Sequence, residues 1–162
     1  MEQTTFDQTA AEHSTAAHAA IFLALMATSL AMAAALAHAL ELPNKMTLGR
    51  DDYFTVQSIY AGWNRLAALL LIQLAGIVAV CFVFRHQSEV RNLALIALAS
   101  LVAAQAIFWI WTFPANQATA SWTLKPPNWE ALRYQCEYSH FAGAVFQVLA
   151  MASLIVAVLK RS

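Results

Sequence analysis

The chain has 162 residues, 60% of them hydrophobic and 11% charged, against about 45–50% and about 25% in an average soluble domain. Nine basic and nine acidic residues cancel, so no basic face is on offer to a nucleic-acid backbone. The length allows one domain, and long uninterrupted apolar runs make lipid its expected solvent.

Residues 1–15 form a polar tail with Glu2, Asp7 and Glu12 and no Lys or Arg. From Ala16 to Leu40 the sequence is almost wholly Ala, Leu, Met, Ile and Phe, long enough at about 1.5 Å per residue to cross a hydrocarbon layer of about 30 Å. Ala37-His38-Ala39 looks like a signal-peptide cleavage site. The run before it is too long for a signal h-region, however, and the tail lacks the basic start, so the segment is expected to persist as the first span, about 16–41. Pro43 is expected to end it.

A polar connection follows, with Asn44, Lys45, Arg50, Asp51 and Asp52, and either aspartate is placed to cap a second helix over about 53–84. Its first turns carry Gln57, Tyr60, Asn64 and Arg65, whereas Leu66 to Phe84 is apolar except for Gln73. After a turn with Arg85, His86, Glu89 and Arg91, a third span is expected over about 92–113, ending at Pro114. The next connection holds Trp122, Lys125 and Pro126-Pro127; Asn128 then caps a fourth helix over 128–159, which begins wet with Glu130, Arg133, Glu137 and His140. The expected fold is an all-α, integral membrane four-helix bundle, up-down-up-down, in one domain over residues 16–160. Helices two and four extend at one membrane face and line one polar pocket there.

Short-loop charges set orientation. Arg85, Arg91, Lys160 and Arg161 lie on the side of the termini, and Lys45, Arg50 and Lys125 on the other. That excess places both termini in the cytoplasm and opens the pocket outward. The outer faces are Leu-rich and suit lipid or a second copy of the chain equally. Cys81 and Cys136 fall at opposite ends of their helices, too far apart for a disulfide, and read as packed thiols.

Ionisable groups in a membrane cost about 2.5–3.5 kcal/mol each on insertion scales and usually face the bundle interior. His38 and Glu41 are three apart on the first helix, and Glu137 and His140 three apart in reverse order on the fourth. On antiparallel helices that reversal sets His38 level with His140 and Glu41 level with Glu137. Two readings stay open. The four are ligand types for a single first-row metal ion, with His38 and His140 alternatively holding a haem from both faces. Otherwise the acids are paired in a structural network, Glu137 with Arg133 and Glu41 with Arg65.

A further polar stripe, Trp129, Arg133, Glu137, His140, Ala144 and Gln147, runs along helix four, and Gln57, Tyr60 and Asn64 along helix two. Such side chains bind a ligand or join helix to helix. Trp63, Trp109, Trp111, Trp122 and Trp129 gather toward the same end, where an aromatic interface belt is the better reading for Trp111 and Trp122. No Ser-His-Asp set, Gly-rich phosphate loop or Cys-x-x-Cys motif is visible, which removes support for hydrolase, nucleotide-driven and dithiol chemistry.

The stretches His38-Ala39-Leu40-Glu41-Leu42-Pro43-Asn44-Lys45-Met46 and Val56-Gln57-Ser58-Ile59-Tyr60-Ala61-Gly62-Trp63 resemble a family of small four-helix membrane proteins that includes the anthrone oxygenases. The second hairpin is similar to it at Phe113-Pro114-Ala115-Asn116, Thr119, Trp122-Thr123, Pro127, Trp129-Glu130, Leu132-Arg133 and Glu137-Tyr138-Ser139-His140. The resemblance covers about residues 20 to 158, and the first signature points to a bacterial subgroup, hence a bacterial inner membrane. It implies a cofactor-independent oxygenase that removes an acidic proton from a lipophilic aromatic, so that the carbanion reacts with dioxygen. By the same resemblance His140 is the candidate base, and Asn116 and Trp129 position the substrate. The expected site is therefore His140, Glu137, His38 and Glu41, lined by Gln57, Tyr60, Asn64, Arg65, Trp109, Asn116, Trp129 and Arg133. Its expected ligand is a lipophilic aromatic or quinol-like molecule. A haem, metal or lipid carrier and a structural accessory subunit are the other two readings.

Overall fold

The structure, a computed structural model, describes residues 2–161, with side chains from Thr15 onward. Glu2, Asp7 and Glu12 of the polar tail lie outside the described side chains. Six α-helices are described: α1 (Glu2–Lys45), α2 (Arg50–Gln57), α3 (Leu66–Val83), α4 (Ser88–Ile107), α5 (Phe113–Ala118) and α6 (Trp129–Leu159). Among the described residues there is no strand, and four segments are long and apolar enough to cross a membrane: Thr15–Lys45, Trp63–Val83, Ser88–Ala118 and Trp129–Leu159. The chain is an all-α integral membrane four-helix protein, in which α1 packs on α3 and α6, and α4 on α3 and α6.

Small residues set the spacing. Ala20, Ala24, Ala94, Ala97, Ala150 and Ala157 form much of the buried core of the lower bundle, as expected where van der Waals contact rather than water exclusion joins helices. Leu71, Phe82, Val102, Val145 and Leu159 are among the large apolar side chains left to the lipid. Gly76 marks the tightest approach, since a Cβ there would stand 2.8 Å from Ala24 N and 2.9 Å from Ala24 Cα. Backbone cannot swing aside as a flexible side chain can. Gly76→Ala should therefore push α1 from α3 at a cost of about 1–3 kcal/mol, read as a lower unfolding midpoint in detergent; an unchanged midpoint would refute the close approach.

Three departures from the sequence expectation shape the upper bundle. Pro43 does not stop the first helix, which continues to Lys45. Proline removes one N–H and crowds the carbonyl four residues back, but the two residues after it can still complete the turn. Lys45 thus joins the face of His38 and Glu41, as the seventh residue after His38.

The expected continuous second helix is broken. α2 passes into a 3₁₀ turn at Ser58–Tyr60, Ala61 is extended at ψ 126°, and Gly62 takes the left-handed φ of 87° before a second 3₁₀ turn at Trp63–Arg65. Only glycine adopts that φ without a Cβ penalty. The break folds Tyr60 and Trp63 back against α1, where both rings meet His38.

The third span runs through Pro114 to Ala118 instead of ending there, by widening into a π-helical turn at Phe108–Thr112. A wider turn relieves the clash of the proline ring with the preceding carbonyls. Gln135 Nε2 on α6 donates to the Trp111 carbonyl at 2.8 Å, and Thr112 shares a 2.6 Å hydroxyl hydrogen bond with Ser139. The π turn is thereby fastened beside the first three turns of α6.

Between α5 and α6 the backbone takes three successive left-handed positions, Ala120 (φ 45°), Ser121 (φ 57°) and Trp122 (φ 64°). For L-residues this costs about 1–2 kcal/mol each. Trp122 offsets it by burying its ring against Tyr53 and Phe54, at 5.2 and 5.6 Å, and by donating from Nε1 to Asn116 Oδ1 at 2.8 Å. The interface-belt expectation for Trp122 is corrected accordingly: it is a core residue, 8% exposed. Ser121→Gly should raise stability by up to about 1 kcal/mol by removing one strained Cβ; a lower unfolding midpoint in detergent would contradict the left-handed turn.

Candidate functional site

Where α1 ends and α6 begins, polar side chains from three elements meet in one buried layer. Its hub is the ammonium of Lys45, whose side chain is 3% exposed. It donates to His38 Nδ1 at 3.0 Å and lies 3.2 Å from both Glu41 Oε2 and Glu137 Oε2. An ammonium has no acceptor capacity, so His38 Nδ1 must accept and the ring proton sits on Nε2.

Glu137 is saturated. Besides Lys45 it accepts from the Tyr53 hydroxyl at 2.8 Å and from Gln57 Nε2 at 2.7 Å, both on α2. Burial, then the charge of Glu137, pushes the Tyr53 phenol well above its ordinary pKa. Tyr60 is likewise raised by burial, then by its hydrogen bond to and the charge of Glu41. Both phenols therefore stay protonated donors across the physiological range. Glu41, with 41% of its side chain exposed, is the open end of the network.

Arg133 is buried but does not pair with Glu137, correcting that expectation. Its Nη1 donates to the carbonyls of Leu48 at 2.8 Å and Lys45 at 3.4 Å, and its guanidinium lies 4.7 Å from the Trp129 ring centre. Nε has no partner, so the indole supplies part of what a hydrogen bond would. The arginine thus binds the last carbonyl of α1, where cations are favoured, and a carbonyl of the connection that follows it. Arg65 is exposed, and Glu41 bonds Lys45 and Tyr60 instead.

Beneath this layer, toward the core, three rings stack in sequence. Tyr60 lies 4.1 Å from His38, and His38 lies 4.2 Å from His140 with the two imidazoles 4° from parallel. Trp63 meets His38 edge-on at 5.3 Å. His140 is half-buried, and neither of its ring nitrogens has a hydrogen-bond partner among the described residues. It differs from Glu137 in this respect: one group is closed by its neighbours and the other is open.

This geometry decides the metal and haem expectations. Among the described residues no three His, Cys, Asp or Glu side chains form a group that could hold a metal ion. Lys45 Nζ fills the space between Glu41, Glu137 and His38, and a cation at that point repels a second one. The residues do not fit a metal. Nor do they fit a haem, since axial imidazoles aim nitrogen atoms at an iron from opposite sides, whereas His38 and His140 lie face to face in contact.

The remaining expected pocket residues divide. Tyr60 and Gln57 belong to the network, and Trp129 supports Arg133. Asn116 accepts from the Trp122 indole. Asn64 is exposed beside Arg65, and Trp109 is 58% exposed on the π turn, so neither touches the layer. Lys45 and Tyr53 are the residues that sequence reasoning missed. The i, i+3, i+7 spacing of His38, Glu41 and Lys45 would have found the first, had Pro43 not been read as a stop.

Lower in the bundle, Gln73 and Gln147 exchange amide hydrogen bonds at 2.8 and 3.4 Å. On the connections, Lys125 binds Asp51 at 2.7 Å. Its hydrogen bond and charge hold the Asp51 carboxyl below the usual value. A depressed carboxylate contributes above its unfolded pKa, and this contribution is lost as pH falls through the folded value, on the acid side. Comparison with family models, with curated proteins and with solved structures finds no match to this chain.

Proposed function

We propose that the chain is a membrane enzyme that uses His140 as a base on a flat, lipophilic aromatic or quinol-like substrate, in the manner of the anthrone oxygenases its sequence resembles. The observation that carries this reading is the unpartnered, half-buried His140 imidazole at membrane depth, stacked on a second imidazole held by Lys45. Polar groups inside a bundle are normally bonded; an accessible imidazole left open beside a completed network suits a reactant.

The chemistry balances without a cofactor. His140 takes the acidic C–H proton, and the electron pair left on carbon forms a bond to dioxygen. The resulting peroxide takes the proton back and loses water to leave a carbonyl. His38 keeps His140 in place by stacking, and the Lys45–Glu137–Tyr53 network fixes His38. The protein sits in a bacterial inner membrane with both termini cytoplasmic on this reading, supported by the loop charges and the sequence signature.

Dioxygen uptake by detergent-purified protein, with anthrone as the probe substrate, tests the proposal. Uptake that requires protein and vanishes in His140→Ala is the expected result. Uptake that persists in this variant would remove His140 from the site. If no flat hydroaromatic probe supports uptake by folded protein, the layer is a structural network and the chain an accessory subunit.

A further inference from the structure

Glycine inside a helix costs about 1 kcal/mol relative to alanine, so two glycines within membrane helices call for reasons. Gly76 has one, since a Cβ there would overlap the backbone of Ala24. Gly143, in the middle of α6, has the opposite surroundings: a Cβ built there meets no heavy atom within 4 Å. It is not a close-packing glycine.

Its position gives the other reason. Gly143 stands three residues after His140, on the same helical face. Side chains in a helix lean toward the N-terminus and cover the turn before their own α-carbon. Any side chain at residue 143 would therefore lie over the turn that bears His140. One face of the His140 ring is taken by His38, and no ring contact occupies the other among the described residues.

Resting on the reading of His140 as the base, we infer that the open space at Gly143 is the aryl subsite of this protein, and that Gly143 sets the size of ring it admits. A flat aromatic entering there extends the stack of Tyr60, His38 and His140 by one member. Offset stacking is the geometry aromatic pairs prefer, and it brings a substituent of the ring within reach of an imidazole nitrogen. Gly143 is a positioning residue in this scheme and touches no proton.

The test reads access to His140 rather than turnover. Diethyl pyrocarbonate carbethoxylates unpartnered imidazoles, and the tryptic peptide 134–160 contains His140 as its sole histidine, so mass spectrometry reports this site alone. In protein folded in detergent, His140 should react, and anthraquinone, flat but unreactive, should slow it. Gly143→Leu should slow it without anthraquinone by about tenfold or more, with Gly143→Ala intermediate, because each added carbon covers more of the same turn. Ala142→Leu, about 100° away around the helix, should not.

The outcomes separate two failures. A wild-type His140 that does not react overturns the open base, and the subsite with it. A reactive His140 that Gly143→Leu and anthraquinone leave unchanged overturns the subsite while the base stands. Should the leucine variant not fold, the alanine variant decides, since an unchanged rate there together with no anthraquinone protection refutes the inference.

Discussion

Lys45→Met is expected to lower the stability of the folded chain by about 3–5 kcal/mol, the largest effect of any single substitution in the polar layer, because it strands a buried carboxylate. Glu137 is 1% exposed, and among the described residues Lys45 is its only cationic partner. Tyr53 and Gln57 would still donate to it. Neutral donors solvate a carboxylate without cancelling its charge, however, so Glu137 would be left buried without a counter-charge. The arithmetic of buried pairs then predicts a recovery. Lys45→Met combined with Glu137→Leu removes both charges, and such replacements of whole pairs are often neutral or stabilising. Thermal unfolding of the two single variants and the double variant in detergent checks this. Additive losses would mean that the two side chains do not share one interaction.

The same cycle bears on how the bundle is closed. Lys45 ends α1, Glu137 lies two turns into α6, and Tyr53 and Gln57 come from the short α2 across the top. The first hairpin's α1 and α2 are thus tied to the distant α6 by one carboxylate. Arg133 adds a second tie from α6 to the carbonyls of Lys45 and Leu48. Loss of Lys45 should therefore loosen the α1–α2 connection before it affects the Ala-rich core beneath, where Ala24, Ile77 and Ala150 are fully buried. Amide exchange that accelerates first in residues 45–60 would show that order.

How much of this was legible in the sequence follows from which forces act locally. The four spans were, because a run of apolar residues long enough to cross lipid leaves few alternatives. The facing of His38 and His140 was legible from the reversed spacing against Glu41 and Glu137 on helices that meet end to start. The break at Gly62 was not, since the residues on either side read equally well as one helix and the choice is made by Tyr60 and Trp63 finding His38. Pro43 and Pro114 misled in the same way: each was read as a terminus, yet both are carried inside a longer helical segment, one near its last residue and one behind a π turn. Lys45 was hidden by that error. Its lysine label in a polar loop gave no sign that it would become the buried hub.

His140→Ala should reduce turnover by about 10²–10⁴-fold, the range contributed by a positioned general base, while leaving the unfolding midpoint within a few degrees of wild type. The reasoning is the contrast with Glu137. Removing a group with no hydrogen-bond partner strands nothing, and the alanine loses mainly one stacked contact with His38. His38→Ala should behave differently, because it takes away the acceptor for Lys45 and the ring on which His140 rests. It should lower both stability and turnover, whereas His140→Ala lowers turnover alone. Substrate deuterated at the acidic carbon sharpens the assignment. A primary isotope effect on kcat that persists or grows in the residual activity of His140→Ala would identify proton removal as the step that the substitution slows. An isotope effect that vanishes in the variant would mean that the substitution slows another step, and Glu41, the exposed end of the Lys45 network, would be the next residue to replace.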